Sequence, residues 1–212
     1  MTAGESQGAW ERRKRAAMDR IQRVAFDLFE EHGYREVTVE RVAAAAQVSP
    51  SSIYRYFGTK EMLVLYDEAD QQILDLLGTA GEGAVMSPAD LLALARTLVP
   101  ATIDALVTAE AERRIARRLR FVHSVPEVRD GQTRQMRDLE ARFRAVFAVR
   151  CGRDPGELAV RMAAATAIWG TVAALDHWAG AGFTPALREV YTEAVRMVLG
   201  AVERIVIPFD AE

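Results

Sequence analysis

Asparagine is missing altogether from the 212 residues, and with it the Asn-Gly pairs that most often close tight hairpins. No run of alternating β-branched residues is present either, so a sheet is not expected as the main architecture. The single cysteine, Cys151, cannot form an intramolecular disulfide and builds no metal site by itself. A reduced, cytoplasmic setting is the simplest expectation. The apolar runs are far shorter than the ~20 residues that span a bilayer. Near the start, Trp10 precedes Glu11, Arg12, Arg13, Lys14 and Arg15, the reverse of a secretory signal's order. The histidines are three and scattered: His32, His123 and His177. Asp176 and His177 are neighbours, hence about 100° apart on a helix and poor partners. No Gly-rich phosphate loop or paired-His metal motif occurs, and Cys151 has no recognisable catalytic setting. An enzyme, a cofactor and a metal are therefore not expected.

Half the residues are hydrophobic and 27% are charged, enough for a sizeable core in one large domain or in a small domain joined to a larger one. The net charge is −3, but its distribution is uneven. Residues 1–60 hold ten basic and eight acidic side chains; residues 61–212 hold seventeen and twenty-two. A mildly basic head on an acidic body suits a protein that touches phosphates with one end only.

Nearly every segment reads as helix, giving an all-α chain of about nine helices. Ser49-Pro50, Ser87-Pro88, Asp154-Pro155 and Thr184-Pro185 each place a capping residue before a proline at the first helical position. With Pro100 and Pro126 at breaks and Pro208 after the last helix, all seven prolines fit helix boundaries. The first helix spans about Arg13 to His32, with Met18, Ile21, Ala25, Leu28 and Phe29 turned inward and Gly33 ending it. Thr38 caps a short helix through about Ala45, and Ser49 opens another that ends near Phe57. Thr59 caps a long fourth helix carrying Met62, Tyr66, Ala69, Ile73 and Leu76 or Leu77. Residues 78–87, with three glycines, read as the loop between head and body. Body helices follow at about 88–99, 102–123, 127–151, 155–179 and 185–206.

Thr38 to Phe57 has the form of a helix-turn-helix, with Ala46-Gln47-Val48 as the turn. Val39, Val42, Ala43 and Ala46 supply the inner face of the first helix, and Val48 and Ile53 continue that core. Ser51, Ser52 and Arg55 are left to point outward. Helix N-termini offer free N–H groups to phosphate, which suits Thr38 and Ser49 as backbone anchors. The hydroxyls of Tyr54 and Tyr56 can donate to phosphate oxygens, and Lys60 adds a charge. The bland alternative, that these aromatics only pack, is favoured for Phe57.

The stretch Val42-Ala43-Ala44-Ala45-Ala46-Gln47-Val48-Ser49-Pro50-Ser51-Ser52-Ile53-Tyr54-Arg55-Tyr56-Phe57-Gly58-Thr59-Lys60-Glu61 resembles the signature of the tetracycline-repressor (TetR) family of transcriptional regulators. Thr38, Gly33-Tyr34 and Phe26-Leu28-Phe29 agree with it, and the resemblance covers about residues 14–66. It implies a homodimeric, ligand-responsive repressor on a pseudo-palindromic DNA operator. Residues 1–60 form the DNA-binding helix-turn-helix domain with a basic N-terminal arm. Residues 61–212 form the ligand-binding and dimerisation domain. Tyr54, Tyr56 and Lys60 become clamps on the DNA backbone, while Pro50, Ser51, Ser52 and Arg55 face the bases. Of these four, Arg55 alone can make a bidentate contact to guanine. Gln47 departs from the family's usual turn glycine, and positive φ there costs about 1 kcal/mol. Arg12-Arg13-Lys14-Arg15 reads equally as an arm on the DNA or as a solvated terminus.

In the body, Leu119–Arg129 and Ala163–Trp178 resemble segments of the mycofactocin-regulator-like subgroup, which implies a small apolar ligand of acyl-CoA type. A different apolar ligand, or none, stays open. Phe121, Met136, Phe143, Phe147, Met162, Thr166, Trp169 and His177 are the candidate lining residues, each weighed against a plain core role. Arg113, Arg114, Arg117, Arg118 and Arg120 read either as a solvated face or as an attraction for CoA phosphates. Ala159, Ala163, Ala164, Ala167 and Gly170 would permit close approach between subunits. Leu187, Val190, Ala194, Met197 or Val198, Ala201 and Ile205 would complete a four-helix dimer interface.

Overall fold

The computed structural model describes residues 3–67 and 84–207. Nine helices and no strand occur among the described residues: α1 (Ala3–His32), α2 (Val39–Ala45), α3 (Pro50–Phe57), α4 (Met62–Leu65), α5 (Pro88–Leu106), α6 (Ala109–Ser124), α7 (Pro126–Cys151), α8 (Leu158–Gly180) and α9 (Leu187–Val206). The all-α expectation therefore holds.

Local capping chemistry explains the head. Gly33, at φ 86°, ends α1 in the left-handed conformation that glycine alone adopts without cost. The Thr38 side chain accepts the Arg41 N–H at the start of α2, and that of Ser49 accepts the Ser52 N–H at the start of α3, where Pro50 takes the first position. Gln47 sits at φ 55°, the positive-φ turn inferred for it.

Several boundaries differ from those read in the sequence. The first helix begins at Ala3, ten residues before Arg13, and runs through Gly4 and Gly8 on the way. Thr59 caps nothing: α4 starts after Glu61 without a side-chain cap, and Tyr66 leaves the helix at ψ 124°. The long fourth helix is therefore only Met62–Leu65 there, and Ala69, Ile73, Leu76 and Leu77 lie outside the described residues, as does Pro208. Pro100 lies inside α5 and breaks nothing. It is exposed, so the carbonyl it deprives of a partner faces water. The break comes instead at Thr108, whose hydroxyl accepts the Ala111 N–H, and α6 leaves α5 at 88°. Asp154-Pro155 forms a turn, with the Asp154 carboxylate accepting the Gly156 N–H at 2.8 Å, and α8 opens only at Leu158. Thr184-Pro185 is a cis bond ahead of α9.

The described chain divides into two compact units. The first is Met1–Tyr66 together with Phe121–Gly131, so the end of α6 and the start of α7 belong to the head. Its core buries Ile21, Phe29, Val37, Val42, Ile53, Leu63 and Val128. Phe121 packs against Phe26 and Phe29 with ring centroids 5.8 and 6.0 Å away. Gln22 is buried among these apolar residues because its amide donates to the Leu63 and Tyr66 carbonyls, which the end of α4 leaves without helical partners.

The second unit holds two separate apolar clusters. One joins Leu91, Leu92, Phe147, Ala148, Cys151, Val160, Ala163, Val202 and Val206. The other is built around Trp178 with Ile115, Leu119, Leu175 and Leu187. Helix α8 reaches both, and its middle, residues 165–174, contains no buried residue although most of it is apolar. By length and composition α8 could cross a bilayer, a test that the core helix of a globular bundle also passes. Four of its small residues pack within the chain. Ala159, Ala163 and Ala164 are buried, and a Cβ on Gly170 would come within 2.7 Å of Val198 on α9.

Candidate nucleic-acid interface

Ser49 organises the start of α3. Besides the Ser52 N–H, its hydroxyl meets those of Ser51 at 2.9 Å and Ser52 at 2.8 Å. The first turn thus presents three clustered hydroxyls, a neutral polar surface that accommodates phosphate or base edges. Inside, Ile53 and Phe57 are buried and anchor the helix. Outside, Ser49, Pro50, Ser51, Tyr54 and Arg55 are exposed, and Ser52 and Tyr56 are half-buried. Thr38 is exposed at the start of α2. The structure therefore brings all eight of these residues to the head, with the two capping hydroxyls on short adjacent helices.

Arg55 is held rather than free. Its guanidinium donates to the Tyr56 hydroxyl at 3.1 Å and lies 4.9 Å from that ring's centroid. Lys60 is also engaged: its ammonium donates to the Tyr34 carbonyl and stands 4.3 Å from the Tyr34 ring centroid and 5.7 Å from that of Phe29. Partial burial pulls the Lys60 pKa below its ordinary value, against Glu61, Glu127 and Glu36, which favour the charged form. Both cations are thus pre-positioned, with part of their side-chain entropy already lost before any DNA arrives.

A polar cluster around Tyr34 was not legible in the sequence. Burial, with the charges of Glu61 and Glu127, holds the Tyr34 hydroxyl well above its usual range. The Glu127 carboxyl is pulled down by its own backbone N–H at the start of α7 and by Arg35, whose Nε donates to it at 2.9 Å. Arg35 and Glu127 are 92 residues apart, so no local pattern links them.

The structure does not gather the eight candidate ligand residues. Phe121 lies in the head cluster. Phe143 and Phe147 stack at 6.3 Å beside the Leu91 cluster. Met136 and Thr166 are half-buried, while Met162, Trp169 and His177 are exposed on α8. In the arginine group, Arg118 pairs with Asp67 at 2.9 Å and Arg120 stands over the Phe183 ring, which leaves Arg113 and Arg114 as exposed charges on α6.

Comparison with known proteins agrees with this geometry. Residues 21–66 match the model for bacterial regulatory proteins of the tetR family, and residues 92–203, over half the chain, match the MftR C-terminal domain. TcmR, an HTH-type transcriptional regulator of Streptomyces glaucescens, is 27% identical over 152 residues, 69% of this chain. The match spans 66% of TcmR, just under two thirds of its length. Among solved structures, NalD, the secondary repressor of the MexAB-OprM multidrug efflux pump in Pseudomonas aeruginosa, is 20% identical. It superposes with a TM-score of 0.53, covering 91% of this chain and 98% of NalD. SmeT in complex with triclosan is 19% identical with a TM-score of 0.54, covering 88% and 91%. At these identities the two structures establish likeness of fold. A capped helix-turn-helix and both domain matches make this chain a DNA-binding transcriptional regulator of the TetR family, with an MftR-type C-terminal domain, and not an enzyme.

Proposed function

We propose that this regulator is a dimeric, cytoplasmic repressor that grips a pseudo-palindromic operator through α3 and releases it when a small apolar ligand occupies residues 61–212. The observation that carries the DNA half is the outer face of α3, where Ser51, Tyr54 and Arg55 are exposed beside a fully formed Ser49 cap. Lys60→Ala and Tyr54→Phe are expected to weaken binding to every duplex alike, because phosphates carry no sequence information. Arg55→Ala is expected to relax preference at one base pair by about 1–3 kcal/mol. Gel shifts on a site selected from random sequence decide this: uniform weakening by Arg55→Ala would remove Arg55 from base reading.

For the ligand half, the support is that Ala167, Thr171 and Ala174, on the side of α8 that carries the buried Ala164, Leu175 and Trp178, are left unburied between the two clusters, where an apolar guest would supply missing contacts. The resemblance of Leu119–Arg129 and Ala163–Trp178 to the mycofactocin-regulator-like subgroup is the ground for an acyl-CoA, whose phosphates would find Arg113 and Arg114 exposed on α6. Phe121–Gly131 offers the route to the head. This segment packs with the head yet is the end of α6 and the start of α7, helices that continue into the body. A ligand that displaces either helix works against Phe121 and the Arg35–Glu127 pair, and releases DNA only as far as it binds the displaced form more tightly. Coupling of about 1–3 kcal/mol would lower operator affinity roughly 5–150-fold. Phe121→Leu with Glu127→Gln is expected to blunt that release while calorimetry without DNA shows acyl-CoA affinity little changed. Full release by the double variant would place the route elsewhere. A response to another apolar molecule, with none to acyl-CoAs of several lengths, would replace the ligand class.

A further inference from the structure

Consecutive side chains on a helix point about 100° apart and do not normally face each other. On α3, Arg55 and Tyr56 nevertheless meet. The Arg55 side chain turns across the helix surface until its guanidinium donates to the Tyr56 hydroxyl at 3.1 Å. There it lies 4.9 Å from the centroid of that ring.

The two partners differ in how firmly they are held. Tyr56 is half-buried, and its ring packs against the head cluster that contains Ile53 and Phe57. Arg55 is exposed, and α3 carries no carboxylate that could pair with it. A flexible cation is thus tied to an anchored ring, and the acceptor is a neutral oxygen. A carboxylate in that place would bind the guanidinium more strongly and compete with a base edge for it. A hydroxyl orients the group while leaving its charge and its other N–H donors available, enough for a bidentate contact. Tyr54, on the same helix, is 48% exposed and outside that cluster, so the two tyrosines are not equivalent.

We propose that Tyr56 is a specificity-determining residue that acts through Arg55, its hydroxyl and ring holding the guanidinium in the pose that reads a base pair. This rests on the reading of Arg55 as the base contact. Ordering a long side chain on binding costs affinity, and a side chain ordered beforehand avoids that cost. The cost arises only where Arg55 engages its base; at a wrong base pair no such contact forms. Loss of the restraint therefore weakens the preferred site more than its single-base variants. A tyrosine that only gripped phosphate would weaken all of them alike.

The test uses full-length protein, a site that it selects from random sequence, and the single-base-pair variants of that site. Gel shifts compare wild type with Tyr56→Phe, Tyr56→Leu, Arg55→Ala and the double variant Arg55→Ala with Tyr56→Phe. Discrimination is a ratio of affinities, so a lost phosphate contact or a loosened head, which lowers every affinity together, leaves it unchanged. Tyr56→Phe keeps the ring and loses the hydroxyl. It is expected to lose roughly two- to tenfold of the discrimination at the same base pair that Arg55→Ala relaxes. Tyr56→Leu, without ring or hydroxyl, should lose more. The double variant should discriminate no worse than Arg55→Ala alone, because the hydroxyl then has no guanidinium to hold. Unaltered discrimination by Tyr56→Phe and Tyr56→Leu would overturn the proposal and leave Tyr56 as a backbone clamp. Additive losses in the double variant would also overturn it, since Tyr56 would then act independently of Arg55. If Arg55→Ala itself leaves every base preference intact, the base-reading assignment falls and this proposal with it, a pattern distinct from the other two.

Discussion

Met162→Arg combined with Met197→Arg is expected to turn a dimer into a monomer and to cut operator affinity by about a thousandfold or more. Met162 is 48% exposed on α8 and Met197 60% exposed on α9, so neither change should disturb the fold of a single chain. Leu158, Met162, Ala165, Thr166, Trp169 and Ala173 recur on one side of α8, all exposed or half-buried. On α9, Ala194, Met197 and Ala201 form a similar strip about a quarter-turn from the buried Leu187, Val202 and Val206. Two apolar strips on adjacent helices, left open to water, are what a two-fold four-helix contact covers. A guanidinium in that contact would be desolvated without a partner. Losing the dimer halves the number of reading heads held on one site, so affinity falls toward the non-specific level. Light scattering gives the mass and circular dichroism the helix content. An unchanged dimer would move the interface away from these strips. Ala163→Arg would not serve as this test, because Ala163 is buried within the Leu91 cluster and the substitution would damage the body itself.

Trp178→Ala is expected to cost about 3–5 kcal/mol and to lower the melting temperature of the body by roughly 6–20 °C. Trp178 is fully buried, meets Phe183 edge-on at 4.9 Å and donates its indole N–H to the Pro185 carbonyl at 2.8 Å. Truncation leaves both a cavity and a carbonyl without its donor. Trp178→Phe keeps the ring and loses only the hydrogen bond, so its cost should be nearer 1 kcal/mol. Thermal melts of the two variants side by side separate packing from hydrogen bonding. Melting of Trp178→Ala at the wild-type temperature would remove Trp178 from its anchoring role.

The same hydrogen bond explains one failure of sequence reading. Thr184-Pro185 has the local form of a helix start, yet Trp178 takes the Pro185 carbonyl and α9 begins only at Leu187. Asp154-Pro155 fails similarly, since the Asp154 carboxylate closes a turn on Gly156 before α8 begins. Ser49-Pro50 and Ser87-Pro88 succeed because their hydroxyls bond groups at most three residues away: the Ser52 N–H with the Ser51 and Ser52 hydroxyls, and the Asp90 N–H with its own carboxylate. A capping rule is reliable where no distant group competes for its atoms.

What the sequence determined by itself was local: the all-α class, the caps of α2 and α3, the positive φ of Gln47 and the family signature. These depend on residues within a few positions of one another, so their physics is written in the spacing. The tertiary structure decided what each apolar side faces. Ala163 and Gly170 look like contact residues between subunits, but the closeness of Val198 makes Gly170 part of the α8–α9 packing inside one chain. Phe121 looks like a ligand contact on a body helix, but Phe26 and Phe29 claim it for the head. Arg35 finds Glu127 across 92 residues. Burial is non-directional and satisfied by any apolar neighbour, so helical spacing reports that a face must be covered, and only the packed chain reports by what.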